Sequence, residues 1–255
     1  MIYVAFIIFT LAVLLFAFYQ WQYFMIFSPL YYREEPLCQK CSLLTMMSND
    51  GVELEGAIYE PLNAKETLLV FVGRSHDAVA LINRLAECYS KTRIITFNYR
   101  SYGKSGGVAN EKNLLNDGFK IAQLVEKNYG QFFLLGFSIG SSVAAYVASK
   151  TDPKALFLVG AFDSIDALAS HKFGINFSKL LRYKFETVRF VQEVKAPTYL
   201  FVSRDDTITY IENARNLKKS IANLKKYKEF VGLHHKELLW DKRVINTIKE
   251  VLDEK

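Results

Sequence analysis

Residues 1–27 are almost wholly apolar, interrupted only by Thr10, Gln20 and Gln22. The run over residues 2–19 is long enough to cross a bilayer as a helix. Tyr19, Trp21, Tyr23, Tyr31 and Tyr32 follow it, aromatic residues suited to the headgroup region. A cleaved leader would need a basic start and a small-residue cleavage site. The chain has neither, so the pattern predicts an uncleaved anchor. From residue 42 onward the pattern alternates between strand-like and helix-like runs. Residues 42–47 and 52–59, around Asn49-Asp50-Gly51, predict a hairpin. Strands are predicted at 68–72, 93–98, 132–137, 155–159, 199–202 and 227–231. Helices are predicted at 78–89, 114–129, 141–150, 211–221 and 244–251. Strands that alternate with helices predict an α/β fold with a mostly parallel sheet covered on both faces. One section, residues 163–194, falls outside the alternation and lies where a cap over a site would be inserted.

Composition adds three constraints. The chain has 255 residues, enough for one sizeable domain beyond the anchor. The domain reading is therefore an anchor over residues 1–32 and a body over 33–255, with a cap at about 163–195. The net charge of +6 lies wholly on the body, because Arg33 is the first charged residue. The basic residues are scattered, as on a solvated surface, and no nucleic-acid partner is expected. Arg33 and Lys40 after the span, with nothing basic before it, lean towards a cytoplasmic body. Cys38-Gln39-Lys40-Cys41 is joined by one further cysteine, Cys88, and nothing completes a zinc site. Free thiols are expected there, a disulfide only if the body faces an oxidising compartment.

The candidate chemistry centres on Gly136-Phe137-Ser138-Ile139-Gly140. It reads G-x-S-x-G between a predicted strand and a predicted helix, the setting of a nucleophile elbow. The serine needs a base, and the base needs an orienting carboxylate, in the chain order Ser, Asp or Glu, His. His234 and His235 follow the last predicted strand, and Asp205 and Asp206 follow the strand before it. Gly103-Lys104-Ser105 imitates the end of a phosphate-binding loop. Asn98 stands where that loop needs glycine, and no helix begins after Ser105.

Several segments together resemble the alpha/beta-hydrolase superfamily, and more closely its membrane-anchored serine hydrolases with a single N-terminal span. The resemblance covers about residues 45 to 255. Residues 98–107 resemble the family's D-Y-R-G-Y-G-x-S-x-G, and Glu111 and Asp117 fall where it has acidic residues. Phe162-Asp163-Ser164 resembles F-x-S. Residues 202–208 resemble G-x-x-D-x-x-V, which selects Asp205; residues 232–238 resemble G-x-G-H-x-x-L, which selects His235. Val72-Gly73-Arg74 stands where the family often has H-G-N, and Thr209 stands for a usual proline. The resemblance implies a catalytic triad of Ser138, Asp205 and His235, and an oxyanion hole from the backbone N–H groups of Arg74 and Ile139. It implies an esterase or thioesterase with no cofactor and no metal. The expected substrate is a small acyl ester or lipid-like molecule, and the expected location is the membrane, through the N-terminal helix. The rival readings are a non-catalytic binding protein on the same scaffold, and a peptidase or amidase using the same triad.

Overall fold

The computed structural model describes residues 2–33, 35–176 and 178–254. The strands are β1 (Cys41–Met47), β2 (Glu53–Tyr59), β3 (Thr67–Phe71), β4 (Arg93–Phe97), β5 (Phe133–Phe137), β6 (Ala155–Val159), β7 (Thr198–Ser203) and β8 (Leu224–Phe230). The helices are α1 (Ile2–Ile26), α2 (Ile82–Cys88), α3 (Glu111–Tyr129), α4 (Ile139–Lys150), α5 (Ile165–Phe173), α6 (Thr187–Glu193), α7 (Ile211–Ser220) and α8 (Lys242–Asp253), with a 3₁₀ turn at His235–Trp240.

The strands form one sheet in the order β1-β2-β4-β3-β5-β6-β7-β8. β1 and β2 pair antiparallel, as do β2 and β4, and every later pairing is parallel. β3, β5 and β6 are buried at every residue, which is why they read as unbroken apolar runs. α4 packs on β3, β5 and β6 between α3 and α6, while α2 lies on β2 and β4. The predicted mostly parallel α/β sheet is present.

Local chemistry accounts for the differences in detail. α2 begins at Ile82, four residues later than the pattern predicts, because the preceding backbone is bound elsewhere. The Ala78 N–H donates to Asn98 Oδ1, and those of Val79 and Ala80 donate to Asp77 Oδ1. Residues 163–194 divide into two parts. α5 buries none of its residues, whereas Tyr183, Phe185 and Val191 are core residues. The second part thus belongs to the core of the body. Glu111, at the start of α3, fixes the return by accepting the N–H groups of Lys184 (2.7 Å) and Phe185 (2.8 Å).

One expectation changes. Cys38 and Cys41 are joined in a disulfide, with Cα atoms 5.0 Å apart, where free thiols were expected. The short turn between them brings the two side chains together, with the Cys41 N–H donating to the Cys38 carbonyl. Cys88 keeps a free thiol, which burial pushes up in pKa. α1 has 25 residues and is long and apolar enough to cross a membrane. Its last turns, from about Phe18, pack on the body. Gln22, Ile26 and Phe27 are buried, and Phe27 meets Tyr183 edge-on at 5.0 Å between ring centroids. The Ser28 N–H donates to the Tyr102 hydroxyl, and the Gly103 N–H to the Leu30 carbonyl.

Candidate active site

Ser138 sits at the corner between β5 and α4 with φ 56° and ψ −124°, a conformation costly for a residue with a Cβ. The turn is held by three bonds. The Ser138 N–H donates to the Val159 carbonyl (3.0 Å), the Ser141 N–H to the Ser138 carbonyl (2.9 Å), and Ser141 Oγ to the Gly136 carbonyl (2.9 Å). The flanking glycines are required by space. A Cβ on Gly136 would lie 2.5 Å from the Gly140 carbonyl oxygen, and one on Gly140 would lie 2.2 Å from that of Phe71. The sequence expectation of a tight strand-turn-helix corner is met.

His235 opens the 3₁₀ turn after β8. Its Nδ1 lies 2.6 Å from Asp206 Oδ2, and the Asp206 side chain is only 2% exposed. Asp206 also accepts the Thr209 hydroxyl (2.6 Å) and the N–H groups of Ile208 (2.8 Å) and Thr209 (3.0 Å). Burial alone would push this carboxyl up, but the bonds from His235 and Thr209 outweigh it and hold Asp206 below the ordinary Asp range. Asp205, the carboxylate selected from the sequence, is not the partner of His235. It is exposed and accepts the Gly232 N–H at 2.7 Å. The turn after β7 points these two neighbours in opposite directions, so a shift of one residue exchanges the buried position for the solvated one. Thr209, which stands in place of a proline, supplies the hydroxyl that Asp206 accepts. Ser203 Oγ donates to the Leu233 carbonyl (2.6 Å) and ties the histidine loop to the end of β7. His234 serves the turn instead: its N–H donates to Glu237 Oε2 at 2.6 Å.

Two residues without an assigned role from sequence help to hold the imidazole. The Phe137 ring, next to Ser138, lies 5.0 Å from the His235 ring. Gly160, at φ 57°, leaves the space for it: a Cβ there would stand 3.1 Å from His235 Cε1. Its only sequence signal is a glycine directly after a buried strand, a pattern shared by many ordinary turns and therefore not specific to a site. Among the described residues no hydrogen bond joins the Ser138 hydroxyl to His235. Such bonds are often long in an unliganded site and shorten when substrate binds.

Arg74 and Ile139 line the same cavity as Ser138. Ile139 is the first residue of α4, where helix N–H groups lack intrahelical acceptors. Among the described residues neither the Ile139 N–H nor the Arg74 N–H has a partner. The loop after β3 is braced despite Val72. The Tyr99 hydroxyl donates to the Val72 carbonyl (2.8 Å), and the Arg74 side chain donates to the Met25 carbonyl on α1. His76 in this loop packs edge-on to Phe137, with ring centroids 5.7 Å apart, and burial holds its pKa below the usual histidine value. The cavity has a volume of about 400 Å³ and is walled mainly by apolar side chains from α1, α5 and residues 207–210.

No family model matches the sequence. An uncharacterized protein, R595 of Acanthamoeba polyphaga mimivirus, is 25% identical over 229 residues, covering 79% of this chain and 78% of its own. The lysophosphatidylserine lipase ABHD12 of Danio rerio is 22% identical over 190 residues, covering 62% of this chain and 50% of the lipase. The chain thus spans about half the length of that relative. Among solved structures, the esterase Pf2001 of Pyrococcus furiosus superposes with a TM-score of 0.70 at 17% identity, over 89% of this chain and 97% of the esterase. An acetyl xylan esterase from Paenibacillus sp. R4 also gives 0.70, at 14% identity, over 88% of this chain and 87% of that one. With its sheet order and its glycine-flanked serine corner, and with these likenesses beside them, the chain has the alpha/beta-hydrolase fold.

Proposed function

We propose that this chain is a membrane-anchored serine hydrolase that cleaves esters or thioesters with apolar acyl groups. The observation that carries the reading is the strained Ser138 lining an apolar cavity, with the half-buried His235 paired to the buried Asp206 beside the same strand ends. In the proposed reaction, Asp206 accepts the Nδ1 proton of His235 in a hydrogen bond, which leaves Nε2 as the base. Nε2 takes the Ser138 proton as Oγ attacks the acyl carbon. The Arg74 and Ile139 N–H groups bind the oxyanion, each worth roughly 3–4 kcal/mol in comparable enzymes. The imidazolium returns its proton to the departing alcohol or thiol, and water, activated by the same histidine, hydrolyses the acyl-enzyme. The likeness to ABHD12, a lysophosphatidylserine lipase, supports a lipid-like ester. The α1 helix supports a membrane anchor. The Cys38–Cys41 disulfide supports a body on the oxidising side of that membrane, against the lean of Arg33 and Lys40.

The test is a fluorophosphonate probe applied to the full chain in detergent, beside Ser138→Ala. The expected result is labelling of the wild type that Ser138→Ala abolishes. A folded wild type that takes no label and hydrolyses no acyl ester would favour a non-catalytic binding protein.

A further inference from the structure

The cavity above Ser138 is not built by the body alone. Phe18, Trp21 and Met25, from the last turns of α1, form one of its walls, and Ile165 and Leu168 of α5 stand among the other lining groups. This part of α1 is fixed in place by polar contacts. Gln22, 3% exposed, donates from Nε2 to the Leu180 carbonyl (3.0 Å) and accepts the Arg182 N–H at Oε1 (2.8 Å). The Arg182 guanidinium lies over the Tyr19 ring at 4.4 Å. Arg74, from the loop proposed to form the oxyanion hole, binds the Met25 carbonyl. A buried glutamine that bonds two backbone groups holds a helix at one depth and rotation, because sliding it would leave those groups unpaired. Next to this wall, Phe173, Ile175 and Leu180 of the cap are exposed apolar residues, and the helix face before residue 18 is exposed as well. The cavity therefore adjoins the stretch of α1 that would lie in lipid.

We propose that the end of the membrane helix is the acyl-binding wall of the active site, with Trp21 and Met25 as specificity-determining residues. The acyl chain of a membrane-resident amphiphile reaches Ser138 between α1 and α5, directly from the bilayer. The proposal rests on the serine-hydrolase reading and adds to it that the anchor selects the substrate.

The full chain in detergent micelles would be assayed with p-nitrophenyl acetate, octanoate and laurate, and each form would also be labelled with a fluorophosphonate. Met25→Trp narrows the wall and is expected to lower the laurate-to-acetate ratio of kcat/KM about tenfold. Trp21→Ala widens it and is expected to raise that ratio severalfold, which keeps the test open if Met25→Trp fails to fold. Leu14→Trp, on the exposed part of α1, should leave the ratio unchanged. Ratios that stay at the wild-type value in both wall variants, with labelling intact, would overturn the acyl-wall proposal and leave the serine assignment standing. A wild type that neither takes label nor cleaves any of the three esters would overturn both.

Discussion

At the scale of single residues, the roles of Asp205 and Asp206 separate most sharply. Asp206 is buried and carries four hydrogen bonds, one of them to His235; Asp205 is solvated and holds only a loop N–H. Asp206→Asn keeps the shape but cannot accept the Nδ1 proton as a charged group, and it favours the wrong imidazole tautomer. A fall in kcat of about 10⁴ is expected, as in other triads. Asp205→Asn should stay within about threefold of the wild type, since a surface change of this kind costs little. Hydrolysis of p-nitrophenyl butyrate by both variants checks the assignment. Equal losses, or a larger loss in Asp205→Asn, would return the role to the residue selected from sequence.

Among the elements, the entry to β1 bears on the side of a membrane that the body of an anchored chain would occupy. The Cys38–Cys41 disulfide closes a short loop just before β1, and Cys88 stays a free thiol half-buried in α2. In a reducing compartment such an exposed loop would open. Protein trapped with a thiol alkylator from intact cells, then unfolded and weighed, should therefore carry one alkyl group, at Cys88. Three groups in material trapped before any reduction would place the body on the reducing side and restore the lean of Arg33 and Lys40.

Across the whole molecule, a buried cation ties the end of β4 to α3 and to the β1–β2 turn. Arg100, after β4, donates to Asp117 on α3 (2.7 and 2.9 Å) and to Asp50 in the β1–β2 turn (2.7 Å twice). These bonds raise the arginine pKa, with Asp117 the larger cause, and the charge is permanent. Arg100→Met strands the buried Asp117 carboxylate. A loss of about 3 kcal/mol is expected, lowering Tm by about 6–12 °C for a chain of this size. Thermal melts in detergent measure it, and an unchanged Tm would mean that the pair contributes no net stability.

The alternation of strands and helices, the G-x-S-x-G corner and the order of serine, acid and histidine were all legible in the linear chain. These depend on short-range rules: side-chain periodicity, and the small residues that a tight corner requires. The same rules singled out the N-terminal run, since length and apolarity are enough to mark a helix able to cross a membrane. The choice between Asp205 and Asp206 had to wait for the folded chain, because adjacent residues in one turn differ only in the direction they face. Folding also assigned Gly160 and Phe137 to the imidazole, and brought Gln22 and Met25 of α1 to the cap and to Arg74. Those contacts join residues far apart in the chain, and nothing in a local pattern records which distant surface an apolar helix end will meet.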